Sequence, residues 1–172
     1  AGFSHQLVGN GKAQCRRDRG GAVRCTKGII FAFAALGEAR KPAPGAQGAD
    51  AIAIGENTAY QNQGDFAVAV GQAAGAVNQA TNAVAIGHGA ASDTQGTGSV
   101  GIGYFAGNED QQSNSVAIGF QAGMTDQATQ SVAIGYDTGK TNQATNAVAI
   151  GADAGGTNQE VGCVAIGYRS GK

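Results

Sequence analysis

The sequence predicts an all-β fold, a parallel β-solenoid (β-roll) with one sixteen-residue repeat per coil. Three observations predict it. A pentapeptide of the type [AS]-V-A-I-G recurs without insertion, ending at Gly55, Gly71, Gly87, Gly103, Gly119, Gly135, Gly151 and Gly167. Its V-A-I core alternates large and small side chains with period two, which is a strand pattern. The chain holds 30 glycines in 172 residues, no tryptophan, 6% aromatic and 13% charged residues, too few large side chains for a thick core.

Each element follows from side-chain chemistry. Val and Ile favour a pleated surface, and glycine ends the run. Sixteen residues are too few for a helical-hairpin repeat, which needs about 33. They suffice for two short strands and two turns. Coils paired edge to edge at about 4.8 Å would make eight units a rod of roughly 35–40 Å. Only 2 prolines and no glycine-every-third pattern exclude collagen. Low charge and abundant Val/Ile exclude a disordered chain. No run of about 18 apolar residues exists, so no membrane-spanning helix is expected.

Composition divides the chain near residue 50. Residues 1–50 hold Lys12, Arg16, Arg17, Arg19, Arg24, Lys27, Arg40 and Lys41 against Asp18, Glu38 and Asp50. Residues 51–172 hold Lys140, Arg169 and Lys172 against nine acids. The first part reads as a basic N-terminal segment, a cap for the array, with a degenerate first coil over 33–50 signalled by FAALG at 33–37. The apolar run 29–36 reads as a strand or as buried packing. Cys15 and Cys25 are able to close a small loop in an oxidising compartment. Cys163 reads as a small buried thiol.

Stacking places equivalent positions above one another. Position four gives the column Ile54, Val70, Ile86, Ile102, Ile118, Ile134, Ile150 and Ile166. With the Val/Ile of position two it is expected to point inward as the core ladder, leaving the Ala or Gly of position three on the outer face. Position thirteen is always glutamine: Gln63, Gln79, Gln95, Gln111, Gln127, Gln143 and Gln159. Stacked glutamines can run amide hydrogen bonds along the rod axis, so they are expected to hold the turn rather than a ligand. Position twelve is Asn or Asp except at Thr94, and positions five and nine are mostly glycine, all suited to positive-φ bends. Position six carries Tyr104, Phe120, Tyr136 and Tyr168, a possible surface contact or the cover of a corner or interchain seam.

Catalysis requires convergent, non-repeating polar groups, and none is seen. His88 shares position six with the aromatics and reads as a variable outer residue. No metal-ligand spacing is present, and GNGK at 9–12 lacks the phosphate-loop frame. No catalytic residue, metal or cofactor is expected. The basic cluster reads as a solvated segment, so nucleic acid is not an expected partner.

At its pentapeptides the array, residues 51–172, resembles the head repeats of trimeric autotransporter adhesins (YadA-like heads) and repeats of phage or viral tail-fibre proteins. The resemblance implies a left-handed β-roll that trimerises side by side, although the unit here is longer than that family's. A head or fibre fragment is implied, with no neck, stalk or membrane anchor after Lys172. The implied function is an extracellular structural or adhesive module. It would lie on a cell or virion surface and bind a host-cell or matrix receptor or glycan. Two alternatives are a self-assembling filament and an ice-binding protein. The latter rests on Thr81, Thr97, Thr129 and Thr145 at position fifteen and Thr125, Thr141 and Thr157 at position eleven. Self-association as homotrimer or filament is expected, because a thin solenoid buries little by itself.

Overall fold

The computed structural model describes residues 47–171 and, before them, the backbone of four short strands: β1 (Leu7–Val8), β2 (Gln14–Arg17), β3 (Val23–Cys25) and β4 (Ile29–Phe31). Each V-A-I segment forms a strand: β5 (Ile52–Ile54), β6 (Val68–Val70), β7 (Val84–Ile86), β8 (Val100–Ile102), β9 (Val116–Ile118), β11 (Val132–Ile134), β13 (Val148–Ile150) and β15 (Val164–Ile166). With β4 they make one nine-stranded parallel sheet. The register is one repeat per rung: Ile118 pairs with Ile134, and Ile134 with Ile150. The chain is a β-solenoid.

A second wall is built from β10 (Thr125–Gln127), β12 (Thr141–Gln143) and β14 (Thr157–Gln159), also parallel. Isolated bridges such as Gln79 to Gln95 and Gln95 to Gln111 extend it toward the N-terminus. Separately, β1, β2 and β3 form an antiparallel three-stranded sheet. The strand stacked on β5 is β4, with Ile29 opposite Ile52 and Phe31 opposite Ile54. The FAALG segment and the rest of 33–46 lie outside the described residues. The proposed limits of the degenerate coil remain an expectation.

The turns explain the consensus. Position seven has positive φ in every unit, from Asn57 at 54° to Arg169 at 56°. Position twelve does too, from Asn62 at 53° to Asn158 at 54°, with Thr94 in the same bend at 33°. Asn and Asp tolerate this left-handed region better than other non-glycine residues. The glycine of position five has a second cause. A Cβ on Gly71 would stand 2.6 Å from the Gly87 carbonyl oxygen, so successive backbones meet there without room for a side chain.

The core corrects one expectation. Ile54, Val70, Ile102, Ile118, Ile134 and Ile150 stack as columns but do not point inward: they are only half-buried, and Ile86 and Ile166 are exposed. Position three is interior instead, with Ala69, Ala85, Ala117, Ala133 and Ala149 fully buried. Gly101 shows where that face looks: a Cβ there would lie 3.3 Å from Gln111 Oε1. The lumen is lined by alanine, by Ser or Ala of position one, and by the glutamines. It is too narrow for two ranks of Ile and Val, so period-two alternation turns those ranks outward.

Candidate functional surface

Three ladders run along the rod. The first is internal. Each glutamine of position thirteen is buried, and Gln111, Gln127 and Gln143 are fully so. From Gln63 to Gln143 each Nε2 donates to the next glutamine's Oε1, Gln63 to Gln79 at 3.0 Å and onward to Gln143 to Gln159 at 3.2 Å. The same Nε2 crosses the lumen to a V-A-I strand: Gln79 to the Val68 carbonyl at 2.9 Å, Gln111 to that of Val100 at 2.9 Å. Both amide hydrogens are thus used, one along the rod and one across it. The chain of bonds has a direction, and it ends at Gln63 Oε1, which has no donor. Gln47 stands one rung earlier, bridged to Gln63 through the backbone. Its own position, sixteen before Gln63, was the available signal for it in the sequence. The glutamines from Gln63 to Gln159 are structural groups sealed from solvent.

The second ladder is the outward face of the nine-stranded sheet. Val and Ile of positions two and four cover it from β5 to β15, half-buried except Ile86, Val164 and Ile166, which are exposed. A contiguous apolar face of this kind is unusual on an isolated soluble protein.

The third is aromatic. Tyr104, Phe120, Tyr136 and Tyr168 are exposed, at 44%, 39%, 55% and 68%. His88 stacks on Tyr104 at 5.2 Å, Tyr104 on Phe120 at 5.2 Å and Phe120 on Tyr136 at 4.9 Å, each pair within 11° of parallel. The rings take up each other's faces along the rod axis, so the column offers ring edges sideways and no open platform for a sugar between His88 and Tyr136. Ala152 interrupts the column, and the Arg169 guanidinium lies 4.9 Å from the Tyr168 ring centroid. Phe105, at position seven, packs edge-on against Tyr104 at 4.5 Å, a contact its sequence position did not signal.

The polar turns carry less organised chemistry. Asn62 donates to Asn78 at 3.0 Å and Asn142 to Asn158 at 2.9 Å, both exposed. The ion pairs Lys140–Asp137 at 3.1 Å and Arg169–Asp153 at 3.3 Å sit at the surface. Thr125, Thr141 and Thr157 begin β10, β12 and β14, but Gln61, Val77, Asp93 and Glu109 hold the same place in earlier coils. Cys163 is exposed, not buried as expected. Its rung lies at the end of the sheet, where β15 has a neighbour on one side only.

Residues 63–90 match the family model of the YadA head domain repeat, in two copies. That span runs from the end of the first unit into the third. No curated protein and no solved structure matches the chain. The stacked coils and the matched repeats agree on an adhesin-head-like repeat module.

Proposed function

We propose that this chain is a structural and adhesive surface module. Its solenoids associate side by side as a homotrimer through the Val/Ile face and present their remaining faces to a cell, matrix or host receptor. The observation that carries the reading is the outward turn of the Val/Ile columns. A soluble rod does not retain eight rungs of aliphatic side chains on one flat face without a use for them. Completing the burial of these half-covered side chains would contribute on the order of 10 kcal/mol or more. That is comparable with the roughly 4–15 kcal/mol lost in association. The matched head repeats support a cell-surface setting.

Sedimentation of the wild type and Ile118→Lys tests this. The wild type is expected at three times the 16.9 kDa chain mass, and the variant at one, with unchanged circular dichroism. A monomeric wild type at tens of micromolar, or a trimeric variant, would overturn it.

A further inference from the structure

We infer that the break in the aromatic column at Ala152 is a binding slot for one neutral sugar ring of β-glucopyranose configuration. The inference rests on the reading of a surface module that presents its remaining faces, and it names a ligand class for one of them. From Tyr104 to Tyr168 position six is aromatic in every unit except at Ala152. The rings before the break stack at 5.2 and 4.9 Å, one to a rung. Phe120 is covered by a ring on both faces, Tyr136 by one ring on the Phe120 side. Exposure records the difference, 39% for Phe120 against 55% for Tyr136.

The size of the slot selects its occupant. Tyr168 holds the same position two rungs beyond Tyr136, so the two side chains are about 10 Å apart along the rod. Ala152 is the floor, and its methyl group leaves the space between them open. Carbon atoms in contact lie about 3.5–4.0 Å apart, so a flat ring resting on Tyr136 reaches less than halfway across. A pyranose chair is thicker, because it is puckered and carries axial bonds on both faces.

The stereochemistry follows from the walls. The face of an aromatic ring is negative and attracts the hydrogens of C–H bonds. In a β-glucopyranoside every substituent is equatorial, so each axial bond on either face is a C–H bond. The 4-epimer, a β-galactopyranoside, sets an axial hydroxyl on one face. The rim suits the equatorial hydroxyls. The Arg169 guanidinium lies 4.9 Å from the Tyr168 ring centroid and bonds at 3.3 Å to Asp153, the residue next to Ala152. That pair sets hydrogen-bond donors and acceptors beside the floor. Its charges are matched, as are those of Lys140 and Asp137 at 3.1 Å, so a neutral sugar fits the slot better than a charged one.

Saturation-transfer NMR on the full chain tests this, with methyl β-D-glucopyranoside as the probe and methyl β-D-galactopyranoside as the control. The expected result is transfer to ring protons on both faces of the glucoside, with a Kd on the order of 1 mM. The galactoside should bind at least about fivefold more weakly. Ala152→Tyr fills the slot and should abolish the transfer with circular dichroism unchanged. Tyr136→Ala removes one wall and should weaken binding about tenfold. No transfer to the glucoside, equal binding of the galactoside, or undiminished binding by either variant would overturn the inference. Ile118→Lys should bind the glucoside as the wild type does, because the slot belongs to a single chain. A trimer that ignores the glucoside would therefore sink this inference alone, and a monomer that binds it would sink only the trimer.

Discussion

Gln111 offers the sharpest test of the internal ladder. Its Nε2 supplies hydrogens to Gln127 Oε1 at 3.1 Å and to the Val100 carbonyl at 2.9 Å, and the side chain is fully buried. Gln111→Glu keeps the shape and removes donors. When protonated, the new carboxyl has one hydrogen for two acceptors, so one buried acceptor loses its donor, a cost of about 1–3 kcal/mol. When ionised it has none, and a buried negative charge faces two oxygens. Burial and this repulsion raise its folded-state pKa above the ordinary value of about 4.3, and each unit of elevation costs about 1.4 kcal/mol once both states would be ionised in water. The sign follows. The variant is closest to wild type below about pH 4, and its deficit grows as pH rises until the folded-state pKa is passed. Guanidinium unfolding followed by circular dichroism, from pH 4 to 8, is the assay. We expect a deficit of about 1–3 kcal/mol at the acid end and at least about 4 kcal/mol at pH 8. Gln112→Glu, on an exposed neighbour in the same turn, should stay within about 0.5 kcal/mol throughout. Parallel pH profiles for the two variants would show that Gln111 does not act inside the coil, and the reasoning would fail.

Other consequences follow from the same geometry. In the Ile118→Lys background, Ala133→Val should cost about 1–3 kcal/mol by overfilling the lumen, while Ile134→Ala should cost about 1 kcal/mol or less. Thermal melts giving the reverse order would place the core on the wrong face. Gly103→Ala forces a Cβ to 2.2 Å from the Gly119 carbonyl oxygen at φ 131°, whereas Gly162→Ala at φ 69° meets nothing within 4 Å. The first should lose about 3 kcal/mol or more and the second about 1–2 kcal/mol, read by urea titration. Ala152→Tyr restores the missing ring between Tyr136 and Tyr168 and should stabilise by about 0.5–1.5 kcal/mol, seen as a raised Tm. An unchanged Tm would mean that the column's stacking is incidental.

Much of this architecture was legible because the repeat writes it eight times. A single V-A-I is ambiguous between a strand and a buried turn of helix, but in-phase recurrence at sixteen residues fixes the rung. The Asn/Asp of position twelve and the glycines of positions five and nine mark bends with positive φ, and invariant glutamine marks a ladder. Other features were hidden for physical reasons. Cys163 carries no mark of exposure, since position one is buried in the other described units and only the rung's place at the sheet end uncovers it. The stacking of His88 with the aromatic column needed the rung spacing and the ring orientations together.

The sequence by itself determined the period, the strands, the bends and the register, because each depends on local backbone preference repeated in phase. Which side of the V-A-I strand faces the lumen was decided only by the tertiary structure. Alternation with period two groups Val with Ile and sets Ala opposite, but it is symmetric with respect to inside and outside. The coil's width breaks that symmetry. A glutamine must reach across the lumen from Gln111 to the Val100 carbonyl, and only alanine or glycine leaves it room. The large side chains therefore turn outward, and that turn creates the surface on which the proposed function rests.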